Sequence, residues 1–412
     1  MRVAIIGAGA AGCFCAIELK RRHPEADVHV YEAGTKALAK VAVTGGGRCN
    51  LTNTFRLVDD LRKVYPRGDK LMRRALTVFS QDDCWEWFER EGVRLVAQDD
   101  ECVFPVSQNA MEIVNTLQRL MRQLGVGLHL RHRVEDVIPT DAGGYIIHFK
   151  DSAEEVNAER VIITTGGHPK ASGFDMLRHL DVRIEAPLPS LFTFNISGDW
   201  KEELMGTVVS DAAVTLCGTR FRSCGALLLT HWGMSGPAIL RLSSYGARHL
   251  AEHDYRGMIS VNWYGGDDDV ASEEAVRTSL NALFAPNAQK FVTSVYPSQF
   301  TARHWQVLLQ RAGIPLTQRI GALNQKHLNR LVTTLTADTY ELTGRCHFKE
   351  EFVTCGGVSL KSISPKTLES RAHPGLYFAG EVLDVDGVTG GFNLQAAWSM
   401  AMVIASNEWG AE

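Results

Sequence analysis

The chain has 412 residues, 45% of them hydrophobic, and a formal net charge of −4 at pH 7. This length suggests two or three domains, and the composition is typical of a soluble globular protein with a substantial core. The small negative charge excludes a global basic field of the kind that would indicate a nucleic-acid partner. The nine cysteines are odd in number and include no Cys-x-x-Cys pair, so most are expected to be buried apolar residues and no metal site is predicted.

The N-terminal segment has the pattern of a dinucleotide-binding unit. An apolar strand over residues 3–6 leads into the glycine-rich turn 7–12, and a helix is expected from there to about residue 22. A second strand then ends at Glu32. The apolar start could be mistaken for a signal peptide, but its ordered glycines and the charged residues 18–22 argue against one.

Each glycine of this turn has an expected role. Gly7 permits the tight turn, Gly9 lets the backbone approach a pyrophosphate, and Gly12 lets helix and strand pack closely. The phosphates would bind N–H groups at the helix N-terminus, where Ala11 lies. Glu32, twenty residues after Gly12, would bind a ribose hydroxyl.

The segment up to about residue 185 alternates helices and strands. Gly143-Gly144 is expected to turn between two strands of a small sheet. The last strand ends at Thr165 and Gly166-Gly167, where the chain would pass close to the cofactor. The expected elements are helices over 70–91 and 109–124 and strands over 128–138, 145–149 and 160–165.

The pattern changes from about residue 186. Residues 190–230 alternate as strands with a hairpin turn at 217–219, and a helix is expected to begin at Pro237. A further strand over 257–264 and mostly helical residues 271–336 complete the segment. A second Gly-x-Gly-x-x-Gly does not occur, so the sequence does not predict a separate NAD(P)-binding Rossmann domain.

A second cofactor motif lies near the C-terminus. Residues 375–381 are expected to form a buried strand ending in Gly380-Glu381, and a helix follows from about Asn393. Glu381 would hold the ribityl chain of a flavin, and the helix N-terminus would face its pyrimidine edge and favour reduction. The predicted fold is therefore α/β: a two-segment Rossmann-like FAD-binding domain (1–185 and 346–412) with an inserted β-barrel-like plus helical domain (186–345).

Four stretches carry a resemblance to a known family. The most specific is Gly45-Gly46-Gly47-Arg48-Cys49-Asn50; the others are residues 228–237, residues 356–358 with 375–384, and residues 390–398. With these motifs the chain resembles the BaiN/RdsA family of NAD(P)/FAD-dependent oxidoreductases nearly end to end. It departs from the family pattern before the glycine triplet, where only Lys40 matches, and at Trp232, where relatives often carry Arg.

The resemblance implies FAD as cofactor and NAD(P)H as transient donor. It also implies reduction of a conjugated C=C bond, either in a uridine of large-subunit ribosomal RNA or in a small hydrophobic enone or enoate such as a bile-acid intermediate. Two different functions stay open beside these reductions, namely a flavin-dependent RNA-modifying transferase and a non-catalytic ribosome-assembly factor. The residues expected around FAD are Gly7, Gly9, Ala11, Gly12, Glu32, Lys40, Thr44, Gly45, Gly46, Gly47, Arg48, Cys49, Asn50, Thr165, Gly166, Gly380, Glu381, Gly391, Phe392, Asn393 and Leu394.

Reduction of a C=C bond needs a proton donor beside the hydride donor. Cys49 is one candidate, because it follows the glycine triplet and Arg48 would lower the pKa of its thiol; alternatively, this run only shapes the FAD loop. His231 is the other candidate, in a loop before a helix, and alternatively a structural residue. Thr44 would bond the flavin ring or only turn its loop. We expect the active site between the triplet loop and residues 230–236.

Residues 56–74 carry seven basic and three acidic side chains. Such a surplus is either a solvated surface or a patch that contacts RNA phosphates without reading sequence. No apolar run reaches the ~20 residues of a membrane span. We therefore expect a cytoplasmic protein without a membrane partner.

Overall fold

The computed structural model describes residues 1–150, 152–198, 200–266, 271–346 and 353–409. The chain divides into two compact units. The first unit consists of Met1–Pro189 together with Val353–Glu412, and the second consists of Ser190–Phe352. The first unit is therefore assembled from two segments that are far apart in sequence.

The helices and strands are numbered in chain order. The first segment contains β1 (Arg2–Ile6), α1 (Ala10–Arg22), β2 (Asp27–Glu32), α2 (Ala39–Gly47), β3 (Thr52–Asn53), α3 (Leu61–Val64), α4 (Asp69–Val78), α5 (Gln81–Arg90), β4 (Leu95–Ala97), β5 (Cys102–Pro105), α6 (Ala110–Gln123), β6 (Gly127–Leu130), β7 (Val134–Pro139), β8 (Tyr145–Phe149), β9 (Glu155–Ala158), β10 (Arg160–Ile163) and β11 (Ile184–Ser190). The second unit contains β12 (Phe194–Ile196), α7 (Trp200–Leu204), β13 (Val208–Leu216), β14 (Arg222–Leu229), β15 (Gly233–Ser235), α8 (Pro237–Tyr245), α9 (Ala247–Glu252), β16 (Gly257–Asn262), α10 (Glu273–Phe284), α11 (Ala302–Arg311), α12 (Gln325–Thr336) and β17 (Asp338–Arg345). The C-terminal segment adds β18 (Val353–Val358), β19 (Leu376–Phe378) and α13 (Phe392–Ala405).

A five-stranded parallel sheet in the order β19-β10-β1-β2-β6 forms the centre of the first unit. The central strands β1 and β10 are apolar and buried after their first residue, as is typical of strands inside a parallel sheet that is covered on both faces. Helix α13 is apolar all round and buried along nearly its whole length, where it packs against α1 and α4. The C-terminal strand β19 thus completes the sheet begun by β1, and the predicted fold class is confirmed.

Two of the predicted elements in this unit are each divided. The helix expected over 70–91 is two helices, because Ser80 starts α5 with a capping box: the Ser80 hydroxyl accepts from Asp83 N at 3.1 Å, and the Asp83 carboxylate accepts from Ser80 N at 2.7 Å. The strand expected over 128–138 breaks at Arg131, whose φ is 61°. Strand β6 therefore joins the parallel sheet, whereas β7 joins the antiparallel sheet β7-β8-β9.

The second unit contains a closed six-stranded barrel, β12-β15-β14-β13-β16-β17. The predicted turn at 217–219 joins β13 to β14, with Gly218 at φ 75°. Helix α8 begins at Pro237, as predicted, and α10, α11 and α12 contribute to the same hydrophobic core. No helix in the described part of the chain is long and apolar enough to cross a membrane.

Candidate functional site

The carboxyl ends of four neighbouring strands define one edge of the parallel sheet. Gly7 follows β1, Glu32 ends β2, residues 164–167 follow β10, and residues 379–381 follow β19. Ligands of open α/β sheets bind outside these ends. The structure thus places the two predicted cofactor motifs and the Thr165–Gly166 turn at a common edge.

The glycine turn leaves one position open. A Cβ atom on Gly7 would lie 2.6 Å from Thr164 O, and one on Gly12 would lie 2.0 Å from Gly7 O. A Cβ atom on Gly9 would meet no described atom within 4 Å. Gly7 and Gly12 are therefore required by packing inside the protein, whereas Gly9 keeps a surface free for a ligand. No side chain of the described residues caps α1 at Gly9, so N–H groups at this helix end remain for phosphate oxygens.

The Glu32 carboxylate is held at the end of β2 by two backbone donors. Its Oε2 accepts from Ala8 N at 2.9 Å and its Oε1 from Gly34 N at 2.7 Å. A carboxylate offers about four lone-pair sites, so two such bonds leave capacity for ribose hydroxyls. The arrangement is suited to an adenosine ribose beside the phosphate turn.

Glu381, Lys40 and the Gly166-Gly167 turn lie together. Glu381 Oε1 accepts from Thr354 N at 2.8 Å, and its Oε2 lies 3.5 Å from Lys40 Nζ. A Cβ atom on Gly167 would lie 2.6 Å from Glu381 Oε1. The Thr165 hydroxyl is buried without a hydrogen-bond partner among the described residues, which leaves a polar atom for a ligand. The carboxylate, ammonium and hydroxyl groups here, together with the less crowded backbone of Gly166, fit FAD.

The glycine triplet forms a left-handed turn at the end of α2. Gly45, Gly46 and Gly47 have φ of 58°, 68° and 82°, a conformation that glycine adopts without steric cost. A Cβ atom on Gly45 would lie 3.0 Å from Asn50 N, whereas Gly46 and Gly47 face space that no described atom occupies within 4 Å. Thr44 uses its hydroxyl to bond Val41 O at 2.9 Å. The turn thus presents bare backbone at Gly46-Gly47.

The residues after the triplet fasten the N-terminus of α13. With its amide oriented to satisfy both groups, the Asn50 oxygen accepts from Gly391 N at 3.2 Å and its nitrogen donates to Thr52 O at 3.0 Å. The Thr52 hydroxyl donates to Gln395 Oε1 at 2.5 Å, one turn into the helix. The two family motifs therefore form a single structural element. The α13 end is expected to face the flavin, and Asn50 determines its position.

The side chains at the α13 N-terminus are largely used within the protein. The Phe392 ring meets Phe55 edge-on at 5.1 Å, and Phe392 O accepts from the Tyr65 hydroxyl at 2.9 Å. Asn393 Oδ1 accepts from Gly387 N at 2.7 Å. Leu394 is half-buried. Phe392 and Asn393 thus hold the loop before the helix, and contact to FAD would come from the helix end itself.

Cys49 is fully buried, with φ of 63° and its backbone N donating to Thr44 O at 3.0 Å. Burial raises the pKa of its thiol to about 12. The expectation that Arg48 lowers this pKa is wrong, because the Arg48 guanidinium lies 4.4 Å above the Phe104 ring and its Nε donates to Gly45 O at 3.1 Å. Arg48 and Cys49 both stabilise the triplet turn.

His231 belongs to the second unit and lies in the short turn between β14 and β15. It is exposed, and its ring meets the half-buried Trp232 ring edge-on with centroids 4.4 Å apart. The turn is held by Gly233 N, which donates to Thr230 Oγ1 at 3.1 Å. An imidazole at this position can exchange protons with a ligand or with solvent. Cys49 belongs to the first unit and His231 to the second.

Two contacts could not be anticipated from the sequence motifs. One is the hydrogen bond from Thr354 N to Glu381, near which the adjacent Gly356-Gly357 motif is the only sequence feature that points to this segment. The fully buried Asp386 accepts two hydrogen bonds from the Arg67 guanidinium. This ion pair joins the basic segment 56–74 to the loop that precedes α13, and no local sequence pattern identifies the partners.

Several basic side chains of residues 56–74 are paired with carboxylates of the protein. Besides Arg67, Arg62 bonds Asp60 at 2.6 Å, and Lys63 bonds Asp59 at 2.8 Å. Lys70, Arg73 and Arg74 are exposed on α4, whose other face buries Leu71, Met72 and Ala75 against the unit. We call Lys70, Arg73 and Arg74 the α4 basic stripe. It lies on a helix that packs directly against α13.

The chain is similar to known proteins along its whole length. The family model described as "HI0933-like protein Rossmann domain" matches residues 1–407. A curated relative from Escherichia coli, "Ribosomal RNA dihydrouridine synthase", is 30% identical over 416 residues, covering 98% of this chain and 96% of the relative. The "3-dehydro-bile acid delta(4,6)-reductase" of Clostridium scindens is 27% identical over 409 residues, covering 97% and 96%.

Among solved structures, 3-ketosteroid delta1-dehydrogenase from Sterolibacterium denitrificans superimposes with a TM-score of 0.53 at 11% identity, covering 98% of each chain, which supports the fold alone. The predicted family, the FAD cofactor and the oxidoreductase class are confirmed by the family match together with the curated relatives. The protein is a FAD-dependent oxidoreductase. It belongs to the HI0933-like Rossmann family.

Proposed function

We propose that this enzyme uses NAD(P)H to reduce a uridine of large-subunit ribosomal RNA to dihydrouridine. The observation that carries the choice of RNA is the α4 basic stripe: three exposed cations share one helix face beside α13, the helix expected to face the flavin. The full-length similarity to a ribosomal RNA dihydrouridine synthase supports the same choice.

The residues of the first unit have defined tasks in this proposal. Bound FAD, once reduced by NAD(P)H, would supply the hydride that adds to one carbon of the C=C bond. The open backbone at Gly9 and the α1 N-terminus bind the pyrophosphate, Glu32 binds the adenosine ribose, and Glu381 with Lys40 orients the ribityl chain. Asn50 keeps the α13 N-terminus in place, where its partial positive charge stabilises negative charge on the pyrimidine edge of the ring.

A proton must reach the neighbouring carbon, and we propose His231 as its donor. The exposed imidazole of His231 is accessible to a nucleobase, whereas the thiol of Cys49 is fully buried in the triplet turn. Cys49 is the second candidate, because its raised pKa keeps the thiol protonated at neutral pH. An acid needs hydrogen-bond reach to the carbon it protonates, so accessibility favours His231.

We further propose that NAD(P)H and the substrate use one face of the flavin in turn, because the sequence lacks a second glycine-rich dinucleotide turn. Anaerobic mixing with NADH or NADPH should bleach the flavin absorbance, and adding a ribosomal RNA transcript should restore it with formation of dihydrouridine. A flavin that neither cofactor bleaches would contradict the donor and favour an RNA-modifying transferase.

Reduction of a small hydrophobic enone or enoate is the second candidate function. The specific observation in its favour is the apolar Trp232 beside His231, together with similarity to a bile-acid reductase. The two functions differ in their response to salt. Phosphate contacts release counterions, so RNA turnover should weaken steeply as salt rises, whereas reduction of an uncharged enone should not.

A further inference from the structure

A group of metal-ligating side chains lies in the second unit, at the end of α9. His249, Glu252 and His253 each offer one ligand atom, and these atoms lie within 4.8 Å of one another. Positions i, i+3 and i+4 share one face of a helix, which explains why three residues close in sequence converge. This is the one such group found in the described ranges, and neither the flavin site nor the proposed reaction uses it.

The two imidazoles lie side by side at the end of α9. Their ring centroids are 4.2 Å apart and their planes are inclined by 30°. His253 Nδ1 lies 2.8 Å from His249 O, to which it donates in the neutral tautomer. That hydrogen bond leaves the lone pair on His253 Nε2, because a neutral imidazole carries one proton. A carbonyl that fixes the tautomer and orientation of a ligating histidine is the usual second partner in protein metal sites.

We propose that His249, Glu252 and His253 bind one divalent transition-metal ion of the zinc class. Two imidazole nitrogens and one carboxylate oxygen suit Zn²⁺, whereas Mg²⁺ and Ca²⁺ prefer oxygen ligands throughout. Ligand atoms around a tetrahedral zinc ion are ~3.3 Å apart for bonds of ~2.0 Å. Glu252 is exposed, so rotation of its side chain and a small rotation of His249 can close the difference while His253 keeps its hydrogen bond to His249 O, and water completes the coordination.

The bound ion would hold together the C-terminal end of α9, just before the chain enters β16. His253 is the C-cap residue of α9, and Tyr255 N donates to Leu250 O at 2.7 Å in the turn that follows. Coordination joins His249, inside the helix, to His253, just past its end. The ion thus stabilises the helix end against fraying, a structural role that requires no substrate.

The test is calorimetric titration of ZnCl₂ into the full-length, FAD-loaded protein at pH 7.5. We expect one site per chain, with zinc affinity reduced at least about tenfold in His249→Ala and in His253→Ala and weakened in Glu252→Gln. His148→Ala is the matched control: His148 Nε2 lies 3.4 Å from a Glu155 carboxylate oxygen, a histidine–glutamate pair outside the described cluster. Its zinc binding should equal that of the wild type.

Two further readouts separate this site from incidental binding. Zinc should raise the melting temperature of the wild type but not of His253→Ala, because an ion that binds only the folded state stabilises it. Binding should weaken as the pH is lowered, because protons compete with the metal ion for the histidine nitrogens. Wild-type affinity in both histidine variants, or the absence of zinc binding to the wild type at millimolar concentration, would overturn the proposal.

Discussion

Replacing Gly9 with leucine separates the cofactor-binding role of the glycine turn from its packing role. Gly9 has φ of −83° and ψ of −165°, which any residue adopts, and its Cβ would meet no described atom within 4 Å. The stability of the apoprotein should therefore change by less than ~0.5 kcal/mol, as for an ordinary surface substitution. The leucine side chain would occupy the surface assigned to the pyrophosphate.

The cost to FAD binding follows from the lost phosphate contacts. Hydrogen bonds to charged groups contribute about 1.5–3 kcal/mol each. Loss of two such bonds amounts to about 3 kcal/mol or more, at least a ~100-fold increase in Kd. The measurement is titration of deflavinated protein with FAD, followed by flavin fluorescence, with thermal melts of the apoprotein beside it.

Gly12→Ala is the matched control, because its Cβ would lie 2.0 Å from Gly7 O. Overpacking of this kind costs about 1–3 kcal/mol, so this variant should lose stability even without FAD. Wild-type FAD affinity in Gly9→Leu would refute the assignment of the pyrophosphate to this turn. A fall in apoprotein stability as large as that of Gly12→Ala would refute the claim that Gly9 faces open space.

Three further predictions concern RNA contact, proton donation and acid stability. Replacing the α4 basic stripe with alanine (Lys70→Ala, Arg73→Ala, Arg74→Ala) should weaken RNA binding, and the slope of log K against log salt concentration should fall by up to about two to three. Arg62→Ala is the control and should change this slope little, because Asp60 already pairs with Arg62. An unchanged slope in the triple variant would contradict the proposal that the stripe binds RNA phosphates. His231→Ala and Cys49→Ala should both stay yellow and be reduced by NAD(P)H, but His231→Ala should lose product formation; normal turnover in both variants would mean that neither residue is the acid. Burial lowers the pKa of His304 to about 4, below an unfolded value of about 6.5, so the unfolded state binds more protons at low pH. The free energy of unfolding should therefore fall by about 2 kcal/mol from pH 7.5 to pH 5. Urea unfolding should show this loss in the wild type and a smaller loss in His304→Phe, and equal losses would contradict the prediction.

The parts of the fold that local pattern determines were predictable from sequence. The strand–glycine turn–helix of residues 3–22 and the helix start at Pro237 depend on neighbouring residues, and both formed as expected. Boundaries inside longer patterns were not. The cap at Ser80 and the left-handed Arg131 divide segments whose hydrophobic periodicity continues across them, so periodicity alone could not locate the breaks.

The chemistry of the candidate site was less predictable, because it depends on contacts distant in sequence. Cys49 follows an arginine, which suggested a reactive thiol, but packing beneath the triplet turn buries it and raises its pKa. Arg67 was counted toward a phosphate-binding surface, yet Asp386, more than 300 residues away, holds its guanidinium. The spacing of His249, Glu252 and His253 indicates a ligand cluster only once that segment is known to be helical.

The central claim is that the substrate is a uridine of ribosomal RNA. Its most direct test is mass spectrometry of large-subunit ribosomal RNA from a strain lacking this protein, with the wild-type gene and the His231→Ala variant supplied in trans. We predict that one dihydrouridine reverts to uridine in the deletion strain, returns with the wild-type gene and stays absent with His231→Ala. An identical nucleoside profile in the deletion and parent strains would contradict the claim and leave reduction of a small hydrophobic enone as the function.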